Sequence, residues 1–135
     1  MLKATVASTP IGRVVIMDSI TKVTPEDKGA NVVSASHGGV SSGEFALEVP
    51  LASVFFNDAG VGKESAGIAA LVMLERRGVA AGTVSHETAR IGDSQDMWDN
   101  GVISHANKIA IERGLRPGLR LKEALLSIVG TGRAA

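Results

Sequence analysis

Four short apolar runs recur along the chain, and each one ends abruptly in small or polar residues. The runs cover residues 13–20, 30–36, 52–56 and 79–84, and Val and Ile are common in the first two. Their apolar character is nearly continuous, which is typical of strands buried on both faces of a parallel sheet. The pattern therefore predicts four strands with polar carboxyl ends.

Helical patterns separate or follow these strands. Residues 43–49 could form a short helix, and residues 63–77 form the strongest helical pattern, which ends at Gly78. Apolar residues at helical spacing predict a further helix over 95–113 and a last one over 121–128. The segment 63–77 is apolar on nearly all sides, so we expect a second copy of the chain to cover part of it in a homo-oligomer.

This alternation of strands and helices predicts one α/β domain over residues 1–135. The expected architecture is a three-layer sandwich with a mostly parallel sheet of about four to six strands. The segment VTPEDKG between the first two strands is too short for an ordinary crossover helix, so that pair could be antiparallel or joined by a single helical turn. Residues 1–10 and 130–135 could form arms.

Composition narrows the classes of function. The 135 residues are 44% hydrophobic and contain fourteen basic and fourteen acidic side chains without a basic block, which disfavours a nucleic-acid partner. The absence of cysteine excludes disulfides, thiolate catalysis and cysteine-bound metals. No stretch has the length of a signal peptide or membrane span, so we expect a cytoplasmic protein without a membrane partner.

Polar residues at the strand ends carry the main functional signal. In a parallel sheet the carboxyl ends of the strands share one edge, and ligands bind in the crevice where the strand order reverses and neighbouring crossovers go to opposite faces. Such a sheet would bring Asp18, His37, Asp58 and His86 together although they are distant in sequence. Turns favour the same residue types in any protein, so an ordinary turn is the alternative at each position.

The stretch FFNDAGVGKES connects a predicted strand to a predicted helix. It fails the phosphate-loop motif because Asn57 stands where the first glycine is needed and Glu64 stands where a hydroxyl is needed. Gly60 and Gly62 would leave free N–H groups before the helix, where Lys63 could add charge and an anion could bind. A tight turn with a solvated lysine is the alternative.

A second motif suggests a nucleophile. Gly39-Val40-Ser41-Ser42-Gly43 matches G-x-S-x-G between a predicted strand and a predicted helix, the context in which Ser41 could attack a carbonyl. With sixteen glycines in the chain, a chance match is the competing interpretation. Gly38 and Gly39 would then help to bind the substrate.

The two histidines that follow strands are the better candidates for catalysis. His37 and His86 could transfer protons, and Asp58 between them could complete an acid–base set or ligate one divalent metal. No short-spaced metal motif is present, and we assign no metal ligand. His105 falls on the face of the helix predicted over 95–113 that also carries Trp98, Val102 and Ile109. A packed histidine is more common than a catalytic one on such an apolar face.

The segment SHETARIGD is the densest polar stretch of the chain. Ser85 could contact a substrate, Arg90 could clamp a carboxylate, and Asp93 could cap the next helix. Proton transfer by His37 and His86, with Arg90 or the turn over residues 60–63 holding an anionic group, favours a hydrolase or lyase that acts on a small anionic metabolite. A non-catalytic ligand-binding or assembly subunit is the alternative. The predicted catalytic residues are His37, His86, Asp58 and Ser41, and the predicted binding residues are Gly38, Gly39, Asn57, Gly60, Gly62, Lys63, Ser85 and Arg90.

Overall fold

The computed structural model describes residues 1–130, except for the side chain of Glu64, and it contains one six-stranded sheet within that range. The strands are β1 (Lys3–Thr9), β2 (Gly12–Met17), β3 (Asn31–His37), β4 (Ser53–Asn57), β5 (Ala80–Val84) and β6 (Ile103–Ala106). The four runs predicted from the sequence correspond to β2, β3, β4 and β5, which confirms those strands.

Five α-helices accompany the sheet in the described part of the chain, together with three 3₁₀ helices. The α-helices are α1 (Val40–Ala46), α2 (Ala69–Arg76), α3 (Ser94–Asn100), α4 (Lys108–Glu112) and α5 (Leu121–Val129). The 3₁₀ helices are Ile20–Lys22, Pro25–Asp27 and Lys63–Ile68.

The sheet is mixed, which corrects the prediction of a mostly parallel sheet. Its strand order is β1-β2-β3-β4-β5-β6, the same as the order along the chain. Strands β2 to β5 are parallel to one another, whereas β1 pairs antiparallel with β2 and β6 pairs antiparallel with β5. The first two predicted strands are therefore parallel, although the connection between them contains only 3₁₀ turns.

Alternate residues of the central strands enter two separate apolar clusters. Val14 and Ile16 of β2 pack in one cluster, and Val15 and Met17 pack in the other. Successive side chains of a strand point to opposite faces, so the sheet is buried on both sides. This explains why the sequence of the central strands is continuously apolar. The complete three-layer sandwich stays a prediction.

The connections between the parallel strands contribute to the same apolar cluster. Ile20, Ala46 and Leu74, from the three successive connections, all belong to the cluster that contains Val15. Right-handed crossovers that always advance in one direction must all use the same face of the sheet. The strand order contains no point at which its direction reverses. The crevice that we expected from the sequence at such a point is therefore absent from this topology in the described residues.

Two predictions of local structure are wrong. Residues 1–10 contain β1 instead of a free arm, and β1 alternates between exposed and more buried positions as an edge strand does. The helix predicted over 95–113 is instead α3, β6 and α4, because Gly101 ends α3 and Val102 and Ile103 continue in extended conformation. Residues 131–135 of the predicted second arm lie outside the described residues.

The helix predicted over 63–77 begins as the 3₁₀ helix Lys63–Ile68 and becomes α-helical only in α2. Ala70 and Leu74 are fully buried within the chain, and Leu71 is 6% exposed. Of these neighbouring apolar side chains, Val72 is the exposed one, at 55%. Because the others are buried within the chain, the apolar surface available for self-association is smaller than the sequence suggested. No helix in residues 1–130 has the length and apolar character that a membrane span requires.

Candidate functional site

The carboxyl ends of β3, β4 and β5 lie side by side, as the sequence predicted. His37 at the end of β3 is paired with Asn57 of β4, and Asn57 is paired in turn with Val84 of β5. Asp58 and His86 follow immediately after these paired positions. The structure thus brings the polar strand ends to one edge of the sheet.

Asp58 is the centre of a polar cluster at this edge. Its side chain is only 6% exposed, and its Oδ1 atom accepts hydrogen bonds from the backbone N–H of Gly60 at 2.8 Å and of His86 at 3.1 Å. A buried carboxylate needs such donors, because water no longer solvates its charge. Asp58 therefore joins the loop after β4 to the loop after β5.

Two imidazoles lie on either side of the Asp58 carboxylate. Nδ1 of His86 is 3.3 Å from Oδ1, and Nδ1 of His105 is 4.0 Å from Oδ2. The His86 side chain is 51% exposed and that of His105 is 39% exposed, so both rings reach solvent while their Nδ1 atoms face the buried carboxylate. This arrangement leaves the outer edge of each ring accessible to a ligand.

The Asp58 carboxylate is held in its ionised form. Burial by itself would raise the pKa of Asp58, but hydrogen bonds from the Ser104 hydroxyl and from the N–H groups of Gly60 and His86, together with the positive charge that His86 can carry, lower that pKa below its ordinary value. The cluster therefore contains a stabilised negative charge between two imidazole rings.

Hydroxyl groups from neighbouring strands hold the His105 ring. Nδ1 of His105 lies 3.3 Å from Oγ1 of Thr83 and 3.3 Å from Oγ of Ser104, and these two hydroxyl oxygens are 2.9 Å apart. Thr83 and His105 are directly paired residues of β5 and β6. The antiparallel edge strand thus supplies two members of the cluster, Ser104 and His105, which the sequence analysis did not include.

The loop that follows Asp58 has an unusual backbone. Ala59, Gly60, Val61 and Gly62 all have positive φ angles, between 51° and 77°. Residues with a Cβ seldom adopt this conformation, and a β-branched residue such as Val61 is the least suited to it. At Gly60 an added Cβ would lie 3.5 Å from the His86 ring, so the imidazole packs against the loop backbone.

The loop already uses the N–H groups that the sequence analysis expected to be free. Ala59 donates to Oδ1 of Asn57, Gly60 donates to Asp58, Val61 donates to the Asp58 carbonyl and Gly62 donates to the Gly60 carbonyl. These bonds leave no free donor for an anion at those four positions. Lys63 is exposed at the start of its 3₁₀ helix.

The side chain of Asn57 holds backbone groups in place and is not exposed to a ligand. It is fully buried, its Nδ2 donates to the Ala89 carbonyl at 3.0 Å and its Oδ1 accepts from Ala59 at 2.8 Å. Both ends of the amide are therefore occupied by backbone groups, one in each neighbouring loop. Asn57 positions the loop that carries Asp58.

His37 and Ser41 lie away from the carboxylate cluster. His37 is exposed, and its ring lies against Gly39, where an added Cβ would overlap it. Ser41 is exposed in the first turn of α1. Within residues 1–130, no hydrogen bond or ion pair connects either side chain to Asp58, His86 or His105. Gly38 approaches the backbone of Gly67, where an added Cβ would lie 2.5 Å from the carbonyl oxygen.

The segment SHETARIGD forms an ordered turn next to His86. Oγ of Ser85 accepts from the Glu87 N–H at 3.1 Å, and Asp93 accepts from the Asp96 N–H and caps α3 as predicted. The N–H of Arg90 donates to Asp96 at 2.9 Å; this bond, with others, lowers the pKa of Asp96. The exposed Arg90 thus already has an acidic neighbour.

A groove and a smaller depression adjoin the cluster on different sides. The groove has a volume of about 590 Å³, and Ser104 and His105 lie in its wall. The depression, of about 210 Å³, is formed by the turn that contains His86, Thr88 and Arg90. Among the residues that the structure describes, no group of three His, Asp or Glu side chains is arranged to hold a metal ion.

Comparisons with protein-family models, with curated proteins and with solved structures found no match to this chain.

Proposed function

We propose that the protein is an enzyme, a hydrolase or a lyase, that uses His86 and His105 as proton-transfer groups around the carboxylate of Asp58. The observation that carries this proposal is one buried carboxylate with an imidazole Nδ1 atom at 3.3 Å from one oxygen and another at 4.0 Å from the second. Such pairing fits acid–base catalysis, in which a carboxylate orients a histidine.

In this proposal His86 acts as the general base. Nδ1 of His86 lies 3.3 Å from Oδ1 of the ionised Asp58, so the carboxylate would favour the tautomer with the proton on Nδ1 and leave Nε2 unprotonated. Nε2 could then take up a proton from the substrate or from the water that attacks it. Asp58 does not touch the substrate and is a positioning residue, which fixes the ring and stabilises the imidazolium that forms.

His105 would supply the second proton-transfer group. It faces the other oxygen of Asp58 and opens towards the groove, whereas His86 lies at the depression. A hydrolase or lyase removes one proton and protonates a leaving group, and two separate side chains can divide these steps. Two imidazoles at the two oxygens of one carboxylate would supply both side chains.

A non-catalytic ligand-binding or assembly subunit is the second candidate. It is favoured by the separation of His37 from His86, because their strands β3 and β5 are two positions apart, roughly 10 Å at the usual strand spacing. An anionic substrate group at Lys63 or Arg90, self-association, a cytoplasmic location and the absence of a nucleic-acid partner all stay predictions.

The proposal can be tested without knowing the substrate. The protein is incubated in D₂O with a panel of small esters, lactones, amides and 2-hydroxy acids, and ¹H NMR follows hydrolysis, dehydration and solvent exchange of C–H protons. We expect at least one compound to react, and His86→Gln to slow that reaction by about 10²–10⁴-fold, the range for loss of a general base.

His37→Gln is the matched control. It removes an exposed imidazole from a neighbouring strand end, and we expect the reaction rate to stay within about twofold of the wild type, as surface changes away from the chemistry usually allow. Equal loss in the two variants would restore the pairing of His37 with His86 that the sequence suggested. Equal conversion by wild type and His86→Gln for every compound, including no conversion at all, would contradict the enzyme proposal and favour the binding subunit.

A further inference from the structure

The groove beside His105 has an apolar wall and only a few polar groups. Its apolar lining residues are Ile68, Ala69, Leu71, Val72, Ala106 and Pro117. Its volume of about 590 Å³ falls within the range of small-molecule sites, roughly 300–1,000 Å³. The groove therefore has the size and the lining to hold the apolar body of a small ligand.

Asn107, the amide residue of the lining, cannot bind a ligand because its polar groups are already used. Nδ2 of Asn107 donates to the carbonyls of Leu71 and Val79, and its Oδ1 accepts from the N–H groups of Ala81 and Ala110. The amide thus has a partner for every strong donor and for both acceptor positions. Its role is to connect α2, β5 and α4.

The polar groups that could hydrogen-bond a ligand lie at one end of the groove. Ser65, Ser104 and His105 lie there, next to the Asp58 cluster. The charged residue elsewhere in the lining is Glu75, whose Oε1 accepts from the Lys108 N–H at 2.7 Å, and no Lys or Arg side chain is part of the lining. A carboxylate or phosphate in this groove would meet a negative charge and no fixed positive charge.

We propose that the groove binds an uncharged small molecule, with its apolar body against Ile68 and Val72 and a hydrogen-bonding head group against Ser104 and His105. As a statement about the substrate, this inference rests on the proposed function, because the head group would then be the part that reacts. The inference concerns the groove alone, where it favours a neutral, amphipathic molecule, such as an ester, a lactone or an amide, over the anionic substrate expected from the sequence.

An isosteric pair of ligands tests the inference through binding alone. Indole-3-acetamide and indole-3-acetate share their ring and differ in the charge of the head group. Each is titrated into the ¹⁵N-labelled protein at pH 8, and the amide signals of Ser104, His105 and Ala106 are followed. We expect saturable shifts with the acetamide and about tenfold weaker binding of the acetate, because the nearby carboxylates repel it.

Two valines of equal exposure provide the matched variants. Val72 in the groove and Val40 on α1 are each 55% exposed. Val72→Asp should weaken acetamide binding about tenfold by placing a charge on the apolar wall, whereas Val40→Asp should leave it unchanged. Both variants substitute solvent-accessible positions, and their folding is checked by the dispersion of the same spectra.

The outcomes separate this inference from the proposed function. Acetamide shifts that fall outside the groove, tighter binding of the acetate, or equal effects of the two variants would overturn the inference without touching the roles of His86 and Asp58. Saturable acetamide binding in the groove with no turnover of the compound panel would support the inference and contradict the enzyme. A dimer in analytical ultracentrifugation that Val72→Asp converts to a monomer would make the groove a subunit interface and overturn the inference.

Discussion

Two aspartates follow parallel strands of this sheet, and each stands at the polar end of an apolar run. Asp18 comes directly after β2 and Asp58 directly after β4. In both cases burial would raise the pKa, and hydrogen bonds lower it below its ordinary value. Both side chains therefore carry a stabilised negative charge at a strand end.

The partners of the two carboxylates differ. Asp18 accepts from the Leu2 N–H at 2.8 Å, from the Ser94 N–H at 2.9 Å and from the Ser94 hydroxyl at 2.7 Å. These groups tie Leu2 and α3 to the sheet, and none of them is an acid or base that changes its charge near neutral pH. Asp58 also binds backbone N–H groups, but two imidazoles face it. A strand-end carboxylate becomes a candidate site only when proton-transfer groups are its neighbours.

The largest difference should lie in the reaction rate. Asp58→Asn removes the charge that orients His86 and should slow any reaction found with the compound panel by about 10²-fold or more. Asp18→Asn should leave that rate within about threefold, because its partners take no part in the proposed chemistry. Long-range ¹H–¹⁵N spectra of His86 provide a second readout. They should show the proton on Nδ1 in the wild type and in Asp18→Asn, and loss of this preference in Asp58→Asn.

A rate that falls as much in Asp18→Asn as in Asp58→Asn would remove the distinction between the two carboxylates. An unchanged His86 tautomer in Asp58→Asn would show that Asp58 does not orient the ring.

For stability we expect the larger effect at Asp18 and the smaller effect at Asp58, the reverse of the order expected for the reaction rate. Asp18→Ala leaves the N–H groups of Leu2 and Ser94 and the Ser94 hydroxyl without their acceptor, and we expect the free energy of unfolding to fall by about 2–4 kcal/mol. Asp58→Asn keeps a side-chain oxygen for the loop N–H groups, so we expect a loss of about 1 kcal/mol. Urea denaturation of both variants measures these changes. A larger loss in Asp58→Asn would indicate that Asp58 is mainly a structural residue.

The lowered pKa values predict how stability changes with pH. Each carboxylate has a lower pKa in the folded chain than in the unfolded chain, where it is about 3.9. Their stabilising contribution is therefore complete above that unfolded value and is lost as the pH falls through the folded value. The urea midpoint of the wild type should fall more steeply between pH 5 and 3 than that of the double variant Asp18→Asn, Asp58→Asn. Parallel curves would show that neither pKa is lowered by folding.

The smallest effect concerns the loops that follow the two aspartates. Ser19 after Asp18 has an ordinary extended backbone with φ of −140°, whereas Val61 after Asp58 has φ of 68°. Val61→Gly relieves the strain of a β-branched residue in that region and should raise the free energy of unfolding by about 0.5 kcal/mol. Val40→Gly in α1 is the control and should lower it by about 0.5–1 kcal/mol. Losses of equal size in the two variants would rule out backbone strain at Val61.

Much of the fold was predictable because the informative patterns are local. The apolar runs of β2 to β5 and the helix α5 are recognisable from consecutive residues, and Asp58 and His86 stand out as polar residues at the ends of such runs. His105 was missed because Trp98, Val102 and Ile109 match helical spacing. The signal that could have identified β6 is the pair Val102-Ile103 directly after Gly101, a β-branched pair that follows a helix-ending residue.

The sequence by itself determined the four central strands, since burial on both faces requires continuous apolar residues, and it determined that polar side chains follow them. The tertiary structure decided that Asp58 and not Asp18 faces two imidazoles, and that His105 belongs to the cluster. These outcomes depend on the antiparallel pairing of β6 with β5 and on the folding of residues 59–62 into a closed loop. Both involve partners that are distant in the chain or hydrogen bonds that form only after the strands are assembled, and no periodicity of consecutive residues encodes them.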